Sequence, residues 1–310
     1  MVAYPTTEGE IAVDISEAGK PCKTWYKIVG DLNAAKESPV VALHGGPGSG
    51  HDSMLALTEL YEKWGLPIIF YDQIGCGRST HLREKTGDEE FWTFDLFIRE
   101  LDNLVDHLNL RAKGFHIIGQ SFGGMLAGAY ASRQPVGLKK IVLSSAPASM
   151  PLYKESCKKR LAELSPSVRE ILENTEADHA SPGFKNAAEV FMKTFVIRLD
   201  PVPDPVQRAW KNIKENPAAY STMQGDSEFD TVGTMKTWEG WKDADKIQAE
   251  TLLLNGGYDE VMDFVVEPWF RMIKKAKWVT LQKASHTLMW EDTPRYIQLC
   301  GDFLSENRRV

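Results

Sequence analysis

Short, wholly apolar runs alternate with longer amphipathic stretches through the first half of the chain. Val40-Val41-Ala42-Leu43, Pro67 to Tyr71, Phe115 to Ile118 and Lys139 to Ser144 read as strands buried on both faces. Between them, residues 53–63 and Thr93 to Leu108 carry apolar side chains at helical spacing, in the second case Phe94, Phe97, Ile98, Leu101, Leu104, Val105 and Leu108. Two earlier strand-like runs, Ile11 to Ile15 and Thr24 to Val29, flank Ala-Gly-Lys-Pro and predict an antiparallel hairpin. From about Ala148 to Thr237 buried strands vanish, and proline, charge and helical patterns take over. The strand rhythm resumes at Thr251 to Leu254 and Trp278 to Leu281, with helices near 263–274 and 294–304. Strand alternating with helix predicts a mostly parallel sheet with crossover helices, here interrupted by a helical insertion.

The ends of the apolar runs carry the chemistry. Residues 115–130 read Phe-His-Ile-Ile-Gly-Gln-Ser-Phe-Gly-Gly-Met-Leu-Ala-Gly-Ala-Tyr, a G-x-S-x-G between a strand and a helix. In that setting a serine sits on a strained turn above a helix N-terminus. A Gly-rich turn with an incidental serine has the same spelling, so the partners decide. A nucleophilic serine needs a base and a carboxylate that orients it. In the α/β-hydrolase order, serine, acid, histidine, both slots are filled. Leu252 to Asn255 leads into Gly256-Gly257-Tyr258-Asp259, and Trp278 to Leu281 leads into Lys283-Ala284-Ser285-His286. Of the seven histidines only His286 fits the required place. An oxyanion hole needs two N–H donors. The Phe122 N–H follows the nucleophile, and the loop His44-Gly45-Gly46-Pro47-Gly48 supplies the second from Gly46, with Gly45 as the alternative. That loop lacks the G-x-G-x-x-G spacing and Walker lysine of a phosphate cradle.

Composition narrows the field without redirecting it. The 310 residues are 43% hydrophobic and 25% charged, enough for one large α/β domain with an insertion. A net charge of −7 leaves no basic footprint for nucleic acid. Cys22, Cys76, Cys157 and Cys300 show neither metal-ligand nor disulfide-framework spacing, so no metal and no cofactor are expected. Residues 1–20 carry several acids and no apolar core, and no apolar run approaches a membrane span. A soluble cytoplasmic protein without nucleic-acid or membrane partners is the expectation; the sequence is silent on oligomeric state.

Four motifs taken together resemble the proline iminopeptidases (prolyl aminopeptidases), in the flavour of the tricorn-associated aminopeptidases. They are His44-Gly-Gly-Pro-Gly48, Asp72-Gln-x-Gly-x-Gly-x-Ser79, Gly119-Gln-Ser-Phe-Gly-Gly124 and Gly257-Tyr-Asp-Glu260, and the similarity runs from about residue 20 to the C-terminus. The resemblance implies an α/β-hydrolase fold with a helical cap inserted after the sixth strand, here a core of 1–147 and 238–310 around a cap of 148–237. It also implies that Glu228, in Ser227-Glu228-Phe229, and Glu260 bind the free amino group of the substrate. The plainer readings are a solvated surface acid for Glu228 and an orienter of the loop for Glu260. Asp72-Gln73 and Arg78-Ser79 are expected to pin loops around the site. Phe191, Met192, Phe195, Trp210, Tyr220 and Met223 are candidates either to line the pocket or to pack cap on core.

The expected activity is release of an N-terminal residue, proline or another small or apolar one, from short peptides, or hydrolysis of amino-acid amides or esters, through an acyl-enzyme on Ser121. The alternatives are an esterase or amidase acting on a secondary metabolite, and a non-catalytic ligand-binding α/β-hydrolase.

Overall fold

The structure, a computed structural model, describes residues 4–174 and 177–306. Residues 1–3, 175–176 and 307–310 of the expected core and cap ranges lie outside the described residues. Eight strands form one sheet: β1 Thr6–Val13, β2 Cys22–Val29, β3 Val40–Leu43, β4 Ile68–Asp72, β5 Phe115–Gln120, β6 Leu138–Ser144, β7 Glu250–Gly256 and β8 Ala276–Leu281. Their order is β1-β2-β4-β3-β5-β6-β7-β8. β1 and β2 pair antiparallel, as do β2 and β4, and every other pair is parallel.

The continuous apolar runs serve two faces at once. Val40 and Ala42 of β3 join one core with Ile68, Phe70, Ile118 and Leu254, against Leu57, Leu60, Tyr296 and Ile297. Val41 and Leu43 face the other way, into a core with Ile69, Ile117 and Leu253 covered by Leu101, Leu104, Leu126 and Trp269. The period-2 alternation of a strand is thus present, but both phases are apolar because helices cover both faces.

Two boundaries differ from the pattern-based reading. β1 begins at Thr6, five residues before the apolar run, because its polar half Thr6–Glu10 pairs by backbone with Trp25–Val29 of β2. The helix expected at 53–63 starts as a 3-10 turn over His51–Leu57 and becomes α-helical at Thr58–Trp64. Its first donor is met from a distance, since the His51 N–H donates to Asp72 Oδ1 at 2.7 Å.

Between β6 and β7 the described residues form helices and loops only, notably Met150–Glu163, Pro166–Glu173, Pro182–Phe191, Asp204–Glu215 and Ala218–Met223. The prolines that break the strand rhythm start these helices. Pro182 sits in the first turn, and Ser181 Oγ accepts the Phe184 N–H at 3.2 Å. Among the described residues no helix is long and apolar enough to cross a membrane. All four cysteines are buried free thiols.

His116 on β5 is fully buried, and neither ring nitrogen has a hydrogen-bond partner. Burial, reinforced by Lys140 and Lys139, holds its pKa near about 3. The unfolded chain, with a histidine at the usual 6.5, takes up the proton first. The site therefore favours folding fully above about pH 6.5 and progressively less as pH falls toward its folded value. His116→Leu is expected to stabilise the protein by roughly 1–3 kcal/mol, by removing an unsatisfied buried polar group. It should also flatten the fall in stability between pH 6.5 and 4. Urea midpoints across that range check both, and an unchanged or lower midpoint at every pH contradicts the account.

Candidate active site

All the loops singled out by sequence leave the same edge of the sheet, because β3, β4, β5, β7 and β8 run parallel. Ser121 stands between β5 and the helix Phe122–Ala131, with φ 54° and ψ −122°, a strained conformation for a residue with a side chain. The strain persists because the backbone packs too closely to relax. A Cβ on Gly119 would fall 2.2 Å from the Gly123 carbonyl oxygen, and one on Gly123 would fall 2.0 Å from that of Leu43. The Ser121 N–H is tied to the Ser144 carbonyl at 2.9 Å, so the turn is also fixed to β6. Phe122 is the first helical residue, so its N–H has no acceptor within the helix.

Asp259 and His286 meet 27 positions apart, with Nδ1 2.9 Å from Asp259 Oδ1. The same oxygen accepts the Val261 N–H at 2.8 Å, which fixes the carboxylate. His286 is 5% exposed and Asp259 not at all. Burial by itself would depress the imidazole. The Asp259 and Glu260 carboxylates, with Glu228, outweigh it and raise the pKa to about 9. Ser121 and His286 line one cavity of about 270 Å³. No hydrogen bond joins the Ser121 hydroxyl to His286 among the described residues, a looseness common to hydrolases without substrate.

The loop after β3 is held by its own histidine. His44 Nε2 accepts the Gln73 N–H at 3.0 Å, while Nδ1 lies 3.0 Å from the Gly45 carbonyl. Burial lowers this imidazole to about 4, so the neutral ring both accepts and donates. Gly46 has φ +110°, which a side chain would strain, and both Gly45 and Gly46 line the cavity. Asp72 and Ser79 brace this region from behind. Asp72 takes the His51 ring at 2.8 Å and the Arg78 N–H at 2.8 Å, and Ser79 Oγ takes the Trp25 N–H at 2.9 Å.

The two glutamates occupy different surroundings. Glu228 lines the cavity, its carboxylate accepting from Tyr220 Oη at 2.6 Å and its carbonyl from Tyr153 Oη at 2.8 Å. Burial first, then Glu228, pushes the Tyr220 phenol well above its ordinary value, which keeps it a donor. Glu260 is fully buried, stands outside the cavity wall, and among the described residues neither carboxylate oxygen meets an N–H or hydroxyl donor; the Glu228 carboxyl lies close enough to share a proton with it. Its Oε1 lies 3.7 Å from His286 Nδ1. Burial, and then the neighbouring Glu228, drive its pKa well above the usual carboxylate range.

A family model described as the alpha/beta hydrolase fold matches residues 38–293. The proline iminopeptidase of Saccharolobus solfataricus is 32% identical, over 86% of this chain and 84% of its own length. That of Heyndrickxia coagulans is 34% identical, over 86% and 91%. The chain belongs to the proline iminopeptidase family of α/β-hydrolases. It is a serine hydrolase of the aminopeptidase type. Among solved structures, VinJ superposes with a TM-score of 0.89 at 36% identity, covering 96% of this chain and 98% of that one. The proline iminopeptidase of Mycobacterium smegmatis superposes at 0.86 and 30% identity, covering 96% and 97%.

The pocket candidates divide. Met192, Trp210 and Tyr220 line the cavity, whereas Phe191, Phe195 and Met223 are buried in the core. Three contributors escaped the sequence reading. Trp290, four residues past His286, lines the cavity and had a signal in its proximity. Arg160 donates from Nε to the Asp259 carbonyl and from Nη2 to that of Gly257, each at 2.9 Å. Glu291 accepts the Ser285 hydroxyl at 2.8 Å and the Ser285 N–H. Arg160 acts across about a hundred positions and Glu291 also takes the distant Arg198 N–H, contacts that leave no local pattern. Among the described residues no group of three or more His, Cys, Asp or Glu side chains is arranged to hold a metal ion.

Gly123→Ala is the sharpest test of the elbow. The added methyl collides with backbone at Leu43 and His44, at 2.0 and 2.7 Å, so β3, the helix or the loop after β3 must move. A loss of at least about a hundredfold in kcat is expected, in line with misplacement of reacting groups by about 1 Å. Steady-state kinetics on an aminoacyl arylamide check it, and near-normal kcat contradicts the packing described.

Proposed function

We propose that the enzyme releases the N-terminal amino acid from short peptides, or cleaves amino-acid amides, through an acyl-enzyme on Ser121. One observation carries the reading. The buried Asp259–His286 pair opens, beside Ser121, onto a cavity with Glu228 in its wall. A base, a nucleophile and an acceptor for a substrate ammonium therefore share one small chamber.

In this mechanism His286 Nε2 takes the Ser121 proton as the hydroxyl oxygen attacks the carbonyl carbon. Asp259 holds the Nδ1 proton and stabilises the imidazolium. The N–H groups of Gly46 and Phe122 receive the oxyanion, the helix N-terminus behind Phe122 favouring that charge. His286 then protonates the leaving amine, and water, deprotonated by the same imidazole, frees the amino acid. Glu228, with Glu260 behind it, receives the α-ammonium. Its usual pKa of about 7.7–8 keeps it largely charged at neutral pH.

Residues 148–237 form the cap in this reading, over a core of 1–147 and 238–310. Apolar cavity residues from the cap, among them Met192, Val196, Val206 and Ile213, suit a small or apolar first side chain, and proline fits that class. The relatives named proline iminopeptidase support the same choice. Four buried free thiols are in keeping with the reducing cytoplasm as the place of action.

Ser121→Ala is expected to lower kcat on L-prolyl or L-alanyl arylamides by several orders of magnitude with little change in stability. Glu228→Gln should cost about 1.5–3 kcal/mol of transition-state binding, the strength of a charged hydrogen bond, on free-amine substrates alone. Kinetics on a panel of prolyl, alanyl and N-acetylated arylamides and simple acyl esters check both. Preference for blocked or amine-free substrates removes the ammonium site; near-normal turnover by Ser121→Ala ends the mechanism.

A further inference from the structure

We propose that the substrate's own α-ammonium, docking against Glu228 with Glu260 buried behind it, expels a proton from the carboxylate–imidazole cluster and thereby turns His286 into a base. The inference rests on the aminopeptidase reading above and adds a specificity-determining role for Glu260.

The geometry sets the problem. Asp259 Oδ1 and Glu260 Oε1 stand 2.9 and 3.7 Å from the same nitrogen, Nδ1 of His286. Asp259 and Glu260 are wholly buried, and among the described residues Glu260 has no N–H or hydroxyl donor on either oxygen. Glu228 adds a third carboxylate from the cap side. Two wholly buried acids beside one imidazole, with a third, partly exposed, in the cavity wall, repel one another unless a cation or a proton is held among them.

The other groups packed against the cluster do not supply that charge. From the helix Met150–Glu163, the Arg160 guanidinium bonds the backbone carbonyls of Asp259 and Gly257 and is paired with Glu163. Tyr153 and Cys157 on that helix, and Tyr220 on the helix Ala218–Met223, are buried with pKa values pushed well up, so they stay neutral. Lys214, on the helix Asp204–Glu215, lines the cavity but is exposed to water, which screens its charge, and among the described residues it pairs with none of the three carboxylates. Glu291, beyond His286, is engaged with Ser285.

The free enzyme therefore keeps an extra proton in the cluster, in line with an imidazole raised to about 9. A protonated His286 cannot accept the Ser121 hydroxyl proton. An incoming ammonium brings the positive charge that this proton provided. The proton leaves to solvent, Nε2 becomes free, and attack can follow. By linkage, protonated His286 weakens ammonium binding by the same factor. A substrate without an amino group enters the cavity and meets an inactive base. The amine is thus required for ionisation of the base as well as for contact.

The test uses the Ser121→Ala enzyme, isotopically labelled at histidine, and L-prolinamide as the probe. Titration of His286 by NMR should give a pKa near about 9 in the free protein. With the amide saturating, the expected fall is about one unit or more, a roughly tenfold larger free-base fraction at neutral pH. Calorimetry in buffers of different ionisation enthalpy should register proton release on binding below the free-protein pKa, rising to about half a proton per amide for a one-unit fall. Glu260→Gln in the same background should lower the free-protein value and abolish the amide-dependent shift. With Ser121 restored, Glu260→Gln should speed hydrolysis of p-nitrophenyl acetate at pH 7 several-fold while slowing prolyl arylamide. Binding of the amide with no change in His286 titration and no proton release overturns the proposal alone. Failure of the amide to bind removes the aminopeptidase reading and the proposal together.

Discussion

Backbone packed directly on backbone is the constraint from which the rest of this active site follows. Where β5 turns into its helix, Gly123 lies so near the end of β3 that even a methyl would sit 2.0 Å from the Leu43 carbonyl oxygen. Gly119 packs against Gly123 from the other side, where an added Cβ would fall 2.2 Å from the Gly123 carbonyl oxygen. Three consecutive pieces of the sheet edge are therefore nested without side chains between them. Ser121 cannot escape its positive φ, and the loop carrying Gly45 and Gly46 starts within reach of it. Strain at one residue is offset by the packing of many, so the Ser121 side chain is held at the sheet edge by the fold itself.

The helical segment between β6 and β7 does more than roof this edge. Arg160 and Ser156 of the helix Met150–Glu163 hold the loop of Asp259 by its carbonyls, Ser156 through that of Glu260. The carbonyls of Phe195 and Val196 take the N–H groups of His286 and Thr287 at 3.2 and 2.9 Å. Glu291 ties the histidine loop to the Arg198 N–H as well as to Ser285. Asp259 and His286 thus hang from these helices as much as from the sheet. A shift of the helices would move both side chains together and leave Ser121 where it is.

Charge inside the site is arranged in opposite senses at its two histidines. His44 is wholly buried and serves as a fixed strut, burial outweighing the more distant Asp72 carboxylate and lowering its pKa to about 4. His286 is equally buried but surrounded by carboxylates, and it rises to about 9. One residue type performs a structural and a chemical task because the neighbours, rather than the ring, set its ionisation.

Much of this was legible in the chain. Apolar runs such as Val40 to Leu43 and Phe115 to Ile118 specify buried strands, because a strand covered on both faces tolerates no polar phase. Gly-x-Ser-x-Gly and the order of Asp259 and His286 after late strands mark the candidate triad, because turn sterics and strand polarity are local and leave a spelling. Polar β1 residues Thr6–Glu10, the 3-10 start at His51 and the clamps from Arg160 and Glu291 were not legible. Most depend on a partner far along the chain, Asp72 for His51, Asp259 for Arg160 and Arg198 for Glu291, met through backbone groups that every sequence carries alike. The isolation of Glu260 beside His286 belongs to the same class. Sequence names the ionisable groups, but burial and mutual distance decide which of them hold a proton, and those exist only once the chain has folded.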